Sequence, residues 1–298
     1  MRNETFHPFR SEKEKQRYMK FYQKREQEWP VQNETKMIET SYGKTFVRIS
    51  GLNNSEPLIL MHGACDNSIS WIENIVDLSE RYIVYAIDDI YGNTMSISTC
   101  KITSIDDYMK WFDELFEGIG INRKVNMVGM SLGGWQIANY ALHNPQLVNK
   151  IVVIAPPNFV IPCSMKFGLR SMLALLPSKF FTKSLVYWIF KDLVESGQGN
   201  EKSKVDFFVE CLYLGLRCFK LRPLVPTKVF TREQLLSFKM PVLFMIGEND
   251  KSYCATEAVE QLNKIAPNIR TEIVRNAGHD LIIVQAENFY KLLNDFLE

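Results

Sequence analysis

Val125-Asn126-Met127-Val128-Gly129-Met130-Ser131-Leu132-Gly133-Gly134 is an apolar run that ends in a lone serine between glycines. A helix-compatible stretch, Trp135-Gln136-Ile137-Ala138-Asn139-Tyr140-Ala141-Leu142, follows at once. The order is strand, sharp turn, helix, with Gly129-x-Ser131-x-Gly133 at the turn. A turn this tight strains the backbone at Ser131, and bulky side chains two residues to either side would collide with it. Glycine at both places relieves that crowding and leaves the hydroxyl standing clear of a sheet. Chance supplies such a pattern often enough that the spacing alone is weak. Its position between a strand and a helix makes Ser131 a candidate nucleophile.

A serine hydroxyl is nearly inert at neutral pH and needs a base within hydrogen-bond reach. The chain has four histidines: His7, His62, His143 and His279. His7 lies in the N-terminal tail, and His143 at the far end of the helix after Ser131. His62 ends a strand before Gly63 and reads as a brace for that loop. His279 follows the last strand in Asn276-Ala277-Gly278-His279-Asp280, where a loop leads into the final helix. Residues just past strand C-termini share one edge of a parallel sheet, so His279 and Ser131 fall on the same rim. A carboxylate must orient the imidazole, and Asp250 lies just past the strand Val242–Ile246 in Gly247-Glu248-Asn249-Asp250. Glu248 is two residues too early, and Asp280 points elsewhere. The oxyanion donors expected are the backbone N–H of Leu132, at a helix N-terminus, and that of Ala64, in the loop after Met61-His62-Gly63. Gly63 allows the backbone to come close.

The rest of the chain alternates short apolar strands with amphipathic helices from residue 57 onward, which predicts a parallel sheet covered on both faces. Two strand candidates, 36–40 and 45–50, precede it, joined by a hairpin at Ser41-Tyr42-Gly43-Lys44. Residues 11–28 read as a charged helix whose Tyr18, Phe21 and Tyr22, with Trp29 just beyond, pack on the main domain. Between 158 and 237 the pattern turns helical and rich in Phe, Leu, Tyr and Met, with breaks at Pro177 and Gly197-Gln198-Gly199-Asn200. The expected organisation is therefore an N-terminal helical extension (1–34), an α/β core (35–157 and 238–298) and a helical insertion (158–237) after the sixth strand.

With 46% apolar and 23% charged residues, the 298-residue chain is of globular type and long enough for a substantial core. Its net charge of +1 argues against a nucleic-acid binder or a binder of anionic membranes. Lys13–Arg25, the densest basic stretch, is interleaved with glutamates and reads as a solvated helix face. Six cysteines show no C-x-x-C pair, so reduced thiols and a cytoplasmic setting are expected. No leader-like apolar segment opens the sequence and no run of 18 apolar residues occurs. The sequons at Asn3, Asn33 and Asn53 read as accidents. Cys65, beside the oxyanion loop, reads as a buried spectator.

The chain resembles the α/β-hydrolase superfamily, and within it cap-bearing bacterial carboxylesterase-like proteins. The matching pieces are Leu58-Ile59-Leu60-Met61-His62-Gly63-Ala64 with Trp71 downstream, Tyr85–Asn93, Val128–Gly134, Gly247–Asp250 and Asn276–His279, in the chain order Ser, Asp, His. The resemblance implies a mostly parallel, eight-stranded type of sheet under a helical cap. It also implies an acyl-enzyme route on esters, with no metal or organic cofactor and a small-molecule substrate. Met130, Trp71 and Trp188 are the expected substrate contacts. The single glycine in His62-Gly63-Ala64-Cys65 gives no support for tertiary-alcohol esters. A carbon–carbon bond hydrolase or lactonase would use the same triad, the former favoured by an arginine facing Ser131 from Arg170, Arg217 or Arg222. A non-catalytic ligand receptor of the same superfamily is the remaining alternative.

Overall fold

The computed structural model describes residues 8–53, 55–196 and 201–298. His7, the sequon at Asn3 and the break Gly197–Asn200 lie outside these residues, as does Asn54, the middle residue of the Asn53 sequon. The described chain opens with helix α1 (Glu12–Glu26), capped at its start by the Ser11 side chain. A hairpin follows, β1 (Asn33–Thr40) and β2 (Gly43–Ser50), then β3 (Glu56–Met61), a 3₁₀ turn (Ser68–Glu73), α2 (Ile75–Arg81) and β4 (Tyr82–Ile87). Next come the two-residue β5 (Ile97–Ser98), α3 (Ile105–Ile119), β6 (Val125–Met130), α4 (Leu132–His143) and β7 (Val148–Ile154). Between β7 and β8 the described residues form α5 (Met165–Ala174), α6 (Lys179–Ile189), α7 (Lys191–Glu195), α8 (Glu201–Cys218) and α9 (Arg232–Leu236). The chain closes with β8 (Val242–Gly247), α10 (Ala255–Ile265), β9 (Ile269–Val274), α11 (Leu281–Val284) and α12 (Ala286–Leu297).

The strands form one sheet in the order β1-β2-β4-β3-β6-β7-β8-β9, with β5 pairing the edge of β2. β1–β2 and β2–β4 are antiparallel and every pair from β4 to β9 is parallel. Strands β6 and β8 are buried along their whole length, as expected of largely apolar strands covered on both sides, with Asn126 of β6 accepting from the Asn149 amide (2.9 Å). One face packs a core around Trp111, Phe112, Tyr140 and Phe244; the other packs Leu58, Trp71, Val128 and Phe289.

Two differences from the sequence reading have plain causes. Ile97–Ser98 was not expected because a two-residue strand has no periodicity to read. The single final helix expected after His279 is split at Gln285, whose backbone (φ −123°, ψ 36°) leaves the helical region. The N-terminal helix packs as expected: Tyr18 and Tyr22 are fully enclosed, and Trp29 lies under the Arg48 guanidinium. Arg48, itself buried, donates to the Tyr22 hydroxyl (2.9 Å), Glu26 (2.7 Å) and Asn33 (2.8 Å). The same segment also grips the end of α8. Arg10 N–H donates to the Cys218 carbonyl (2.8 Å), Lys220 N–H donates to that of Pro8 (2.9 Å), and the Phe9 and Phe219 rings meet at 4.4 Å.

Candidate active site

Ser131 sits between β6 and α4 with φ 51° and ψ −120°, a strained conformation for a residue with a side chain. The glycines permit it. A Cβ on Gly133 would lie 2.6 Å from the carbonyl oxygens of Met61 and His62, and one on Gly129 would lie 2.6 Å from the Gly133 carbonyl. Gly63 differs: a Cβ there would meet the Ser131 Cβ at an ordinary 3.5 Å, so backbone crowding does not demand that glycine. The Ser131 N–H is anchored to the Ile154 carbonyl (2.7 Å), which ties the turn to β7.

At the same sheet edge, His279 Nδ1 lies 2.8 Å from Asp250 Oδ2, and both side chains are almost wholly enclosed. The other Asp250 oxygen accepts from the Ser252 N–H (2.7 Å) and from the Ser252 hydroxyl. Burial opposes the charge on Asp250, but His279 and Ser252 outweigh it and hold the carboxyl below its ordinary value. Burial likewise disfavours the imidazolium, yet Asp250 more than offsets it, and the His279 pKa is raised. Ser252 was not singled out from the sequence. Its signal is local: a serine two residues after an aspartate can close an Asx-type turn onto that carboxylate.

Asp280, Glu248, His62 and His143 have other partners. Asp280 turns away, accepting from the N–H groups of Gly278 (2.9 Å) and Leu193 (2.8 Å) and so tying the loop to α7; burial pushes its carboxyl up to about 6. Glu248 accepts from the Asn276 N–H. His62 accepts from the Asp89 N–H at 3.0 Å through Nε2, the loop-bracing position expected of it. His143 faces Asp113 (3.0 Å) at the far end of α4.

Ser131, His279, Ala64, Leu132 and Met130 line one cavity of about 520 Å³, roofed by α5, α6 and α8. Leu132 is the first residue of α4, so its N–H is one of the four that the helix itself leaves without a partner. Two expected contacts are not part of this cavity. Trp71 is completely buried in the core with Leu58 and Val128, because the 3₁₀ turn directs its ring beneath the sheet. Trp188 lies on the outer side of α6 under the Arg170 guanidinium, 4.7 Å from its ring centre. None of Arg170, Arg217 and Arg222 lines the cavity either. Arg217 donates to the carbonyls of Leu175 (2.6 Å) and Leu176 (3.0 Å) at the end of α5, while Arg222 lies over Tyr91. A further lining residue, Asp66, was missed in sequence; burial raises its carboxyl to about 6. Cys65 also lines the wall, and burial pushes its thiol up to about 11, the inert state expected of it.

The sheet order, the strained serine between β6 and α4, and the histidine and acid at the same edge are those of the α/β hydrolases. The chain belongs to the α/β-hydrolase fold family, whose sequence model matches residues 56–185. Carboxylesterase YbfK of Bacillus subtilis is 31% identical over 290 residues, covering 94% of each chain. The crystal structure of naproxen esterase (carboxylesterase NP) from Bacillus subtilis superposes with a TM-score of 0.87 at 27% identity, over 97% of this chain and 99% of that one. That of carboxylesterase CesB (YbfK) gives 0.86 at 28% identity, over 96% and 98%.

Proposed function

We propose that the protein is a serine carboxylesterase that cleaves small to medium hydrophobic esters through an acyl-enzyme. The observation that carries this reading is the His279–Asp250 contact of 2.8 Å opening into the same apolar cavity as Ser131. Ser131 attacks the ester carbonyl while His279 takes its proton, and Asp250 stabilises the resulting imidazolium. The N–H groups of Leu132 and Ala64 receive the negative charge on the carbonyl oxygen, aided by the N-terminal end of the α4 dipole. His279 then returns the proton to the departing alcohol. In the second half-reaction it activates water against the acyl group. Helices α5, α6 and α8, within 158–237, form the cap over this site.

The cavity supports the substrate class. Its volume is within the range of small-molecule sites, and Met130, Phe167, Leu185, Ile189 and Phe190 supply apolar walls. No arginine among its lining residues favours the carbon–carbon bond hydrolase alternative. A series of p-nitrophenyl esters from acetate to decanoate, with an ester of naproxen alongside, tests the reading. We expect kcat/KM to peak at a short or medium acyl chain. Labelling of Ser131 by a fluorophosphonate without turnover of any of these esters would reject a general esterase.

The pH dependence has a definite sign. His279 must be neutral to accept the Ser131 proton, and its pKa is raised above the ordinary 6.5. Below the His279 pKa, kcat/KM therefore falls about tenfold per pH unit, with the inflection above 6.5. Asp250→Asn removes the charge that raises that pKa, so the inflection moves to lower pH in the residual activity. Rate profiles of the two proteins between pH 5 and 9 check this, and an inflection unmoved by the substitution would contradict it.

A further inference from the structure

Helix α5 is apolar on two sides. Phe167, Ser171 and Ala174 face the cavity, whereas Met165 and Leu169 turn to solvent, Met172 reaches both, and Leu176 follows just past the helix end. These are not grazing exposures: Met165 is 89% exposed, Met172 68% and Leu169 59%, and Phe180 at the start of α6 is 71% exposed. Leu224 (59%) lines the cavity wall from the 219–230 segment, and Leu221 (73%) is exposed three residues before it. Met172, Leu175 and Leu224 are both exposed and part of the cavity wall, so the patch runs into the mouth of the site. A contiguous apolar surface of this kind marks a place that something covers.

Charge identifies the occupant. The chain has no Asp or Glu between Glu117 and Asp192, which takes in α5 and α6, nor between Glu210 and Glu233, which takes in the far side of the mouth. Both segments carry cations around the patch; Lys166, Lys183, Lys220 and Lys228 are exposed. Lys166 lies over the Trp188 ring and Lys183 over that of Tyr187, side chains suited to a water–lipid boundary. Lys179 pairs with Glu210 of α8 and Lys191 with Glu195, and Lys183 shares a groove with Asp206 and Glu210, whereas Lys166, Lys220 and Lys228 stand on the side of the mouth. A second copy laid on this face would set cation against cation, and a nucleic acid would leave the apolar stripe in water. We infer that the rim of the cavity, from α5 across to residues 220–228, docks on an anionic lipid surface. Among the described residues no helix is long and apolar enough to cross a membrane, so the contact is peripheral. The apolar tips enter the headgroup boundary while the lysines meet the lipid phosphates, and an ester dissolved in the lipid reaches the cavity without crossing water. The +1 net charge hides this surface because the acids that balance it lie elsewhere.

Sedimentation of the full chain with vesicles tests the inference, independently of turnover. One vesicle is phosphatidylcholine alone and the other contains 30% phosphatidylglycerol. Binding to the anionic vesicle is expected to exceed the neutral one by at least about tenfold and to weaken with added salt, since each cation near such a surface contributes about fivefold. Met165→Asp, Leu169→Asp and Phe180→Asp together, none of which lines the cavity, are expected to abolish binding. Melting temperature and hydrolysis of monomeric p-nitrophenyl acetate should stay at wild-type values. Equal binding to both vesicles, or undiminished binding by the triple variant, would overturn the inference. So would a concentration-dependent dimer of the wild type, lost in the variant, with no vesicle binding.

Discussion

Ser131→Ala is expected to lower kcat for p-nitrophenyl butyrate by about 10⁶-fold, a loss of roughly 8 kcal/mol of transition-state stabilisation. The remaining rate, supported by the oxyanion donors and binding alone, stays roughly 10³- to 10⁴-fold above the reaction in water. Only one oxygen is removed, at a half-buried position whose backbone is held by the Ile154 carbonyl and the glycines around it. The melting temperature should therefore be unchanged. Fluorophosphonate labelling should disappear with the activity. His279→Ala should fall nearly as far, because a nucleophile and its base act as a unit. Esterase activity surviving either substitution would reject the triad.

Gly247→Ala is the largest expected effect on stability. Gly247 ends β8, and a Cβ there would overlap the carbonyl oxygens of Ala277 and Gly278 and stand 2.8 Å from the Ala277 carbonyl carbon. Both partners are backbone and cannot swing aside. The Asp250 and His279 loops are pinned together at this point by the Asn249 N–H to the Ala277 carbonyl (2.9 Å) and the Glu248 N–H to the Val274 carbonyl (2.9 Å). Forcing them apart should cost about 3 kcal/mol or more and lower the melting temperature by roughly 6–12 °C. It should also cut kcat at least about tenfold by disturbing the 2.8 Å His279–Asp250 contact. Thermal denaturation and steady-state rates measure both. A variant that melts with the wild type and keeps full activity would show that the two loops have slack.

How far the site could be read depended on the range of the interactions involved. The Ser131 turn was legible because its requirement is local: two glycines within two residues of a strained serine. His279 and Asp250 were legible because each follows a recognisable strand, and parallel strands bring their C-terminal ends to one edge. Trp71 and Trp188 were misplaced for the opposite reason. Both lie in the right neighbourhood of the chain, but the rotation of a single turn decides whether a ring enters the cavity, the core or the surface. Gly63 reads in the sequence as allowing a close backbone approach, whereas around the site a Cβ would come within 3 Å of backbone at Gly129, Gly133, Gly134 and Gly247.

Readable from the residues alone were the parallel sheet, the turn at Ser131, the chain order Ser131, Asp250, His279 along one sheet edge, and the packing of the aromatic N-terminal helix. Each rests on periodicity or on backbone sterics within a few residues. The folded packing settles which side chains wall the cavity, brings Ser252 onto the Asp250 carboxylate and turns Asp66 into the site. It alone shows that the acid-free stretches 118–191 and 211–232 meet around one opening. Those outcomes depend on how helices distant in sequence turn their faces towards one another. A net charge or an apolar count averages over the whole chain and cannot record that direction.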